Sequence, residues 1–315
     1  MALKDFYLLF VIALIKMVSW SSSNRLRESV VSILAFTAYT FSRTKRRLIE
    51  KNICLALDGN LNDDQKQRIV KATFYEFWRH MFSWPSISED RALLEGTEIR
   101  GIEYLQWALD NKKGVILWES NGFGKRILAK RILNENGFSI HQIHGAKDLG
   151  GFLINESSPT WLMRSLIRPF FKNCEMSFVA EIIYLPSSNS LAFSRILLNL
   201  LKENGIVCIS GDGKGGHKFI PLKFLGQTEF FSTGMVSMSK LSGAPILPVF
   251  CIKEESGKTT LIIKRPINME SVTDRKSGLE NCVSIYADIL ETYIKLYPEQ
   301  YRNWHLVGMA PDVVS

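Results

Sequence analysis

The sequence predicts an α/β protein whose central sheet is largely parallel or mixed and is covered by helices on both faces. From residue 97 onward, short apolar runs alternate with longer runs of helical periodicity, which is the pattern of a sheet with crossover helices. The strand-like runs "GVILW" and "GIVCIS" are continuously apolar, as strands are when both faces of a parallel sheet are buried. With 315 residues, 46% of them hydrophobic, the chain can build one large core.

Two apolar runs come before this pattern. The first is "DFYLLFVIALIKMVSW" at residues 5–20, and the second is "SVVSILAFTAYTF" at residues 29–41. A bilayer span needs about 20 apolar residues, so the first run, which is broken by Lys16, is short for one. We predict membrane-associating helices here, either spanning or interfacial. The alternative is an amphipathic helix packed on the domain.

A basic cluster follows the second apolar run: Arg43, Lys45, Arg46 and Arg47. Cations beside an apolar segment suit the anionic cytoplasmic leaflet, at about 1 kcal/mol for each cation near the surface. We therefore predict two parts of the chain, with membrane-associating helices at 1–44 and an α/β domain at 45–315. The cytoplasmic face of a bacterial inner membrane is the expected location.

The elements of the domain are predicted in order from apolar periodicity and from cap and turn residues. Helices are expected at 45–58, 61–84, 102–111, 124–136, 158–173, 188–204, 233–243 and 278–297. Strands or extended segments are expected at 98–101, 114–118, 138–144, 205–210, 219–231, 244–252 and 259–266. Asn62 is the expected N-cap of the second helix, because acids follow it in the first turn.

Composition narrows the class of partner. The formal net charge of +8 suits nucleic acid, an anionic lipid surface or a phosphate-bearing substrate. No aromatic and basic RNA-binding signature or recognition-helix pattern occurs, so nucleic acid is not the expected partner. The five cysteines form no C-x-x-C pair, which favours a reducing compartment. We expect no metal ion, since no ligand motif is present.

Polar residues follow three of the predicted strands. The segments are Glu119–Arg126, His144–Asp148 and Asp212–His217. The carboxyl ends of parallel strands meet at one edge of a sheet, where α/β proteins bind ligands. The candidate functional residues are therefore expected to lie together at this edge.

Two familiar motifs are not matched. In "GDGKGGHK", Gly211 and Gly216 have phosphate-loop spacing, but His217 stands where that loop needs lysine. In "WESNG", Trp118 stands where a serine nucleophile elbow needs glycine, so Ser120 is not expected to be a nucleophile. His141 and His144 are three apart on a strand and so point to opposite faces.

Four segments in order resemble the bacterial lauroyl/myristoyl acyltransferases of lipid A biosynthesis, which are lysophospholipid-acyltransferase-like membrane enzymes. They are "RRLIEKNICLALDGNLNDDQKQRIVKATFYEFWRH", "ENGIVCISGDGKGG", "FLGQTEFFSTGMVSMSKLSGAPILPVF" and "YPEQYRNWH". The third is the closest, with a Phe-x-Gly turn, a Thr-Gly helix start and Gly-Ala-Pro before a buried strand. The resemblance extends from about residue 43 to 305.

The resemblance implies a reaction in which an acyl chain passes from a carrier-protein or coenzyme A thioester to a hydroxyl of a lipid or glycolipid, with no bound cofactor. It also implies a His-x-x-x-x-acid pair after the first long strand, where the imidazole is the general base. Here Asn121 and Arg126 occupy those two positions, although Gly122 and Phe123 still resemble the family. Neither an amide nor a guanidinium can accept a proton near neutral pH.

Three accounts remain open. The chain is an acyltransferase with a replaced base, a non-catalytic relative that binds lipid or a partner protein, or an enzyme of another transfer on a lipid-linked substrate. In the first account the bases to consider are Glu119, with a pKa raised by burial, and His144. Donors to the thioester oxyanion would be Asn121 and the backbone of Gly122–Gly124. Asp212 is expected to take part in catalysis. The residues expected to bind substrate are Lys125, Arg126, Arg164, Arg168 and His217.

A purely structural role is open for several of these residues. Glu119 can pair with Lys125 or Arg126, and Asn121 can cap a helix. Asp212 can bond its own turn, and Arg164 and Arg168 can be solvated helix charges. The acceptor, the chain length and the donor are left undetermined by the sequence, as is the oligomeric state.

Overall fold

The computed structural model describes residues 3–20, 24–57, 61–85, 94–145, 161, 163–185, 191–213, 218–267 and 275–310. The chain begins with four helices: α1 (Leu3–Trp20), α2 (Asn24–Phe41), α3 (Arg43–Ala56) and α4 (Asp63–Phe82). Helix α2 packs along α4, and the apolar residues Val11, Ile15 and Val18 of α1 are buried. No helix among the described residues is long and apolar enough to cross a membrane.

The central sheet has seven strands in the order β1-β9-β8-β2-β5-β3-β4. They are β1 (Glu98–Arg100), β2 (Val115–Glu119), β3 (Ile140–Gly145), β4 (Glu181–Leu185), β5 (Ile206–Ser210), β8 (Ile246–Lys253) and β9 (Thr259–Ile263). Every neighbouring pair is parallel except β8 and β9. The prediction of a largely parallel or mixed sheet is confirmed.

The remaining helices connect and cover the strands. They are α5 (Ile102–Asp110), α6 (Arg126–Glu135), α7 (Arg168–Met176), α8 (Leu191–Lys202), α9 (Gly234–Ser242) and α10 (Arg275–Leu296). Side chains alternate along a strand, so Trp118 and Glu119 of β2 point to opposite faces. Trp118 stacks on Tyr286 of α10 at 4.4 Å, and Glu119 faces α6. Helices therefore cover both faces of the sheet at this strand.

A separate antiparallel hairpin, β6 (Phe219–Phe224) and β7 (Gln227–Ser232), forms the segment predicted as extended. Its two turn residues, Leu225 and Gly226, both have positive φ, at 50° and 76°. A Cβ on Gly226 would lie 2.3 Å from the carbonyl oxygen of Leu55, so glycine is required there. The Phe-x-Gly turn thus docks the hairpin on α3.

Two elements of the structure differ from the prediction. Strand β4 was not predicted, because "EIIYL" is a short edge strand whose Glu181 and Tyr184 are exposed, and its five residues lie between two strong helical patterns. The helix expected at 158–173 is, in its described part, a π-helix (Met163–Ile167) followed by α7, which extends to Met176. His217 and Asp148 lie outside the described residues.

The predicted cap of α4 is confirmed and gives a test of the local structure. The side chain of Asn62 accepts from the backbone N–H of Gln65 at 2.8 Å, and the Gln65 side chain accepts from the backbone of Asn62 at 2.9 Å. We expect Asn62→Ala to lower the free energy of unfolding by about 1 kcal/mol in urea titrations, whereas Asn62→Asp keeps the acceptor and most of the stability. Equal urea midpoints for Asn62→Ala and the wild type would contradict this assignment.

Candidate active site

The turn after β2 is closely packed against the rest of the protein. The backbone of Gly124 has φ +67°, and a Cβ there would lie 2.4 Å from the carbonyl oxygen of Cys251. A Cβ on Gly122 would lie 2.6 Å from the ring of Tyr301. Both positions therefore require glycine, and the turn can approach β8 and the C-terminal segment only because they have it.

Ser120 and Asp212 fix the start of this turn. The hydroxyl of Ser120 donates to Asp212 Oδ2 at 2.6 Å, and it accepts from the backbone N–H groups of Gly122 and Phe123. Asp212 Oδ1 accepts from the backbone N–H of Asn121 at 2.6 Å. Asp212, just after β5, therefore bonds the neighbouring turn rather than its own. Its contacts are those of a residue that positions the turn.

The same bonds correct one expectation. The backbone N–H groups of Gly122 and Gly124 were predicted to donate to a thioester oxyanion. In the structure the N–H of Gly122 donates to the Ser120 hydroxyl, and that of Gly124 donates to the carbonyl of Gln300 at 3.2 Å. The N–H of Phe123 also donates to Ser120, at 3.0 Å. These donors already have acceptors within the protein, so they are not free for a substrate.

Arg302 also holds the turn, a role that no pattern in the sequence indicated. Its guanidinium donates to the carbonyl oxygens of Gly124, at 2.8 Å, and of Asn121, while its own N–H donates to the carbonyl of Gly122 at 2.9 Å. Arg302 is buried, and burial together with the nearby Arg126 lowers its pKa to about 10. The segment "YPEQYRNWH" was singled out by resemblance alone.

Asn121 and Arg126, which stand in the positions of the histidine and the acid, are bonded to each other. Arg126 Nη1 donates to Asn121 Oδ1 at 2.8 Å. The two positions therefore keep a side-chain hydrogen bond, but a guanidinium donates and an amide accepts, so no proton can be taken up. The predicted N-cap role of Asn121 is not observed, because α6 has Lys125 at its N-cap, without a side-chain cap bond.

Glu119 lies in the core as an ion-paired carboxylate. It is 3% exposed, and its Oε1 lies 2.6 Å from Arg126 Nη2 and 3.3 Å from Lys130 Nζ. Burial by itself raises the pKa of Glu119, but Arg126 and Lys130 outweigh that effect and hold it below its usual value. The expectation of a Glu119 base with a raised pKa is therefore corrected: the carboxylate stays ionised beside two cations.

Lys130 connects Glu119 to a second buried carboxylate, Glu175 of α7. The ammonium is 2% exposed and lies 3.3 Å from Oε1 of each acid. Glu175 Oε2 in turn lies 2.6 Å from His144 Nε2. A continuous chain of polar contacts thus links Asn121 to His144. We call these six side chains the rim network: Asn121, Arg126, Glu119, Lys130, Glu175 and His144.

Two members of the rim network, Lys130 and Glu175, were missed from the sequence. Lys130 follows Arg126 by four residues, so both lie on the same side of α6, and this spacing next to Glu119 is a signal that could have indicated a buried ion pair. Glu175 had no comparable signal. It lies on α7, and only the packing of α7 on β4, which pairs with β3, brings it to His144.

Other predicted site residues lie away from the network. Lys125 Nζ bonds Thr259 Oγ1 on β9 at 3.1 Å, and burial lowers its pKa to about 8. Arg164 is exposed and Arg168 is half-buried, on the π-helix and α7 respectively. His80 of α4 is buried, and burial, then Arg302, holds its pKa well below 6.5. The described residues include no cluster of metal ligands.

The fold and the site together describe an α/β protein with a histidine–carboxylate pair at the carboxyl ends of its parallel strands. Residues 181–305 match the family described as bacterial lipid A biosynthesis acyltransferase. The resemblance seen in the sequence is confirmed for this part, which is less than half of the chain. The matched range includes Asp212 and Arg302. The turn after β2 and His144 come before it in the chain and are not part of the match.

Among solved structures, the chain is similar to the 1-acyl-sn-glycerophosphate (LPA) acyltransferase PlsC from Thermotoga maritima. The sequence identity is 12%, the TM-score is 0.38, and the alignment covers 87% of this chain and 99% of that one. None of the curated protein sequences matches the chain significantly.

The buried pairing of Glu175 predicts a specific pH dependence. Burial raises the pKa of Glu175, but Lys130 and His144 lower it from 4.5 to about 2. A carboxylate whose pKa is lower in the folded state stabilises that state at pH values above its unfolded-state pKa. This contribution is lost as the pH falls from 4.5 toward 2. We expect Glu175→Gln to lower the free energy of unfolding at pH 7 by on the order of 3 kcal/mol and to flatten its pH dependence in that window.

Glu181→Gln is the matched control, because Glu181 is an exposed carboxylate on β4. Chemical denaturation of the three proteins at a series of pH values makes the comparison. If Glu175→Gln lost stability between pH 4.5 and 2 as steeply as the wild type, the assigned pKa of Glu175 would be wrong.

Proposed function

We propose that the protein is a membrane-associated acyltransferase that moves an acyl chain from an acyl-carrier-protein or acyl-coenzyme A thioester to a hydroxyl of a lipid or glycolipid. The His144–Glu175 pair at the rim is the observation that carries this proposal. The family match at 181–305 supports the reaction class. The cytoplasmic face of a bacterial inner membrane, and a role in glycolipid or lipopolysaccharide synthesis, are part of the same proposal.

His144 is the base in this proposal. Its Nε2 contacts Glu175 Oε2 at 2.6 Å, so Nδ1 is the nitrogen that takes the proton of the acceptor hydroxyl. Glu175 stays ionised, because its pKa is about 2, and it stabilises the imidazolium that forms. His80 is a poorer base, since its strongly lowered pKa makes the imidazole weakly basic.

The chemical step follows from this assignment. As Nδ1 takes the proton, the acceptor oxygen attacks the thioester carbonyl carbon, and a carbon–oxygen bond forms. The tetrahedral intermediate then collapses, the carbon–sulfur bond breaks, and the imidazolium returns its proton to the departing thiolate. The carrier leaves as a free thiol, and the acceptor leaves as an ester.

Asn121 supplies a donor in this scheme. Arg126 occupies Asn121 Oδ1 at 2.8 Å, which orients the amide so that its NH2 group points away from the guanidinium. No acceptor bonds this group among the described residues. We infer that it donates to the oxyanion that develops on the thioester oxygen. The asparagine would then stabilise charge at a position where the family resemblance places a base.

The first three helices support contact with a membrane surface. Large apolar side chains on α1 and α2 are exposed, with Ile33 at 63%, Phe36 at 71% and Phe41 at 81%. Exposed cations accompany them: Arg25, Arg43, Arg47 and Lys51. An apolar face with flanking cations is the pattern of an interfacial helix at an anionic lipid surface.

Acyl transfer to membrane lipid tests the proposed reaction. Labelled acyl-carrier protein and acyl-coenzyme A are supplied to the purified protein in native lipid, and label in the lipid is followed by mass spectrometry. We expect His144→Gln to reduce the rate by about 100-fold or more, because a general base contributes about 10² to 10⁴. His141→Gln is the matched control, since His141 lies on the same strand and contacts the carbonyl of Ile206.

Transfer by the wild type that survives His144→Gln would overturn the assignment of the base. An equal loss in His141→Gln would show that both changes act through the strand. Glu175→Gln should lower kcat more than it changes KM, because Glu175 stabilises a charge that forms only during the reaction.

A second candidate is a non-catalytic relative that binds lipid or a partner protein at the membrane. The observation that favours it is the rim network itself, where two carboxylates and two cations balance each other and Asn121 is bonded to Arg126. A folded, lipid-bound wild type that transfers no label from either donor would support this candidate.

Membrane association has its own test, which needs no turnover. We expect Ile33→Ser with Phe36→Ser to reduce flotation with anionic phospholipid vesicles at least tenfold, because each large apolar side chain contributes about 1.5 to 3 kcal/mol when buried. Trp107→Ser is the control, since Trp107 is 53% exposed on α5, outside the first three helices. Equal flotation of the double variant and the wild type would contradict the assigned surface.

A further inference from the structure

The side chain of Lys45 is half-buried between α3 and α4. Its ammonium lies 4.9 Å from the ring centroid of Phe77 and 5.6 Å from that of Phe74. Burial lowers the pKa of Lys45 to about 8, and the ammonium has no carboxylate partner among the described residues. Two aromatic faces attract a cation but do not neutralise it, so the cost of burying this charge is only partly offset.

Two further cations contact a neighbouring ring. The guanidinium of Arg46 and the ammonium of Lys71 lie 4.8 and 5.8 Å from the ring centroid of Tyr39 on α2. The Tyr39 ring meets that of Phe74 edge to face at 5.9 Å, which joins the two groups of contacts. None of the three cations is paired with an acid within the part of the chain that the structure describes. We call Lys45, Arg46 and Lys71 the α3 cation cluster.

Two other features of this region favour an anion. Helix α3 begins after Ser42, which makes no side-chain cap bond, and no acid lies in its first turn. A helix N-terminus favours negative charge, so cations in the first turn are unfavourable unless an anion balances them. The imidazole of His305 is neutral, because burial and then Lys45 lower its pKa to about 3. Its buried Nδ1 has no hydrogen-bond partner among the described residues, and as an N–H donor it can bond an anion.

We propose that the α3 cation cluster binds the phosphate group of an anionic membrane lipid. This inference rests on the proposed membrane association and deepens it, because it names the class of lipid and the residues that recognise it. Phosphate oxygens accept from several charged donors at once, and two ammonium groups with one guanidinium supply them. The lipid chains have a matching surface on α2, where Phe36 and Phe41, close to Tyr39 in the helix, are 71% and 81% exposed.

The reactivity of Lys45 tests this site without turnover or vesicles. At pH 8 about half of a lysine with a pKa of about 8 is neutral and reacts with acetic anhydride, and mass spectrometry measures the rate at each lysine. We expect dihexanoyl phosphatidic acid, added to the full chain, to slow acetylation of Lys45 at least fivefold, because a bound phosphate covers the ammonium and raises its pKa. Dihexanoyl phosphatidylcholine, whose choline cancels the charge, should slow it less than twofold. Exposed Lys51 is the reference within the same molecule.

Two further ligands, added at the same concentration, separate the sources of the phosphate. Equal protection of Lys45 by inorganic phosphate would show a site for the free ion, and equal protection by coenzyme A would assign the phosphate to the acyl donor. Either result overturns the proposal. Protection of Lys45 and Lys51 alike would show nonspecific attraction and would overturn it as well.

Substitutions separate binding from folding. We expect Lys45→Met to weaken the binding of dihexanoyl phosphatidic acid, measured by calorimetry, at least tenfold. Its urea midpoint should be no lower than that of the wild type, because the change removes a buried charge that has no carboxylate partner. Lys51→Gln, the matched control, should change the affinity less than twofold. Unchanged affinity in Lys45→Met overturns the proposal. A fall in both affinity and urea midpoint would assign Lys45 a structural role and overturn it too.

The site and the proposed membrane association can fail independently. A protein that binds dihexanoyl phosphatidic acid through Lys45 but does not float with anionic vesicles would refute the membrane association and leave the site in place. Flotation without any protection of Lys45 would refute the site and leave the membrane association in place.

Discussion

The bridge that Lys130 forms between Glu119 and Glu175 is the interaction on which the rim depends. Two carboxylates from different elements lie buried there, and each has its Oε1 3.3 Å from the same ammonium. An unpaired buried charge is strongly destabilising, and the lysine is the one cation of the rim network that contacts both acids, beside Arg126 at Glu119 and His144 at Glu175. Because Glu119 belongs to β2 and Glu175 to α7, the bridge also fixes α7 relative to the sheet, and through Glu175 it orients His144.

The turn after β2 is held in a different way, by bonds to its backbone. Asp212, just after β5, binds it, Arg302 binds three of its backbone groups from the C-terminal segment, and the carbonyl of Cys251 accepts the N–H of Lys125 at 2.7 Å. Bonds from three sides leave the turn little freedom. The backbone donors of the turn are occupied by Asp212, by the Ser120 hydroxyl and by the carbonyls of Gln300 and Cys251. In the proposed reaction, any charge that develops on a substrate here must therefore be stabilised by a side chain. In that proposal, the amide of Asn121 takes this role.

The sequence predicted the architecture well, because the architecture follows from local patterns. Continuous apolar strands indicated a covered parallel sheet, and Asn62 with its following acids indicated the start of α4. The site was predicted less completely for a physical reason. Glu119, Asn121 and Arg126 are close in sequence and were found together, whereas Glu175 meets His144 only through the packing of α7 on the edge of the sheet. Strand β4, whose pairing with β3 sets that edge, was missed because its five residues form a weak pattern between two strong helical ones.

The exchange of a histidine and an acid for Asn121 and Arg126 is tied to the rest of the rim network. Arg126 is one of two cations that balance Glu119 and Glu175. An acid in its place would leave three carboxylates around Lys130, with one cation to offset them, and at least one would have to bind a proton or leave the core. The asparagine and the arginine are therefore not isolated losses. They belong to a charge arrangement that, in the proposed reaction, leaves the position after β2 to hold a substrate oxygen and assigns its proton to His144 on β3, two strands away.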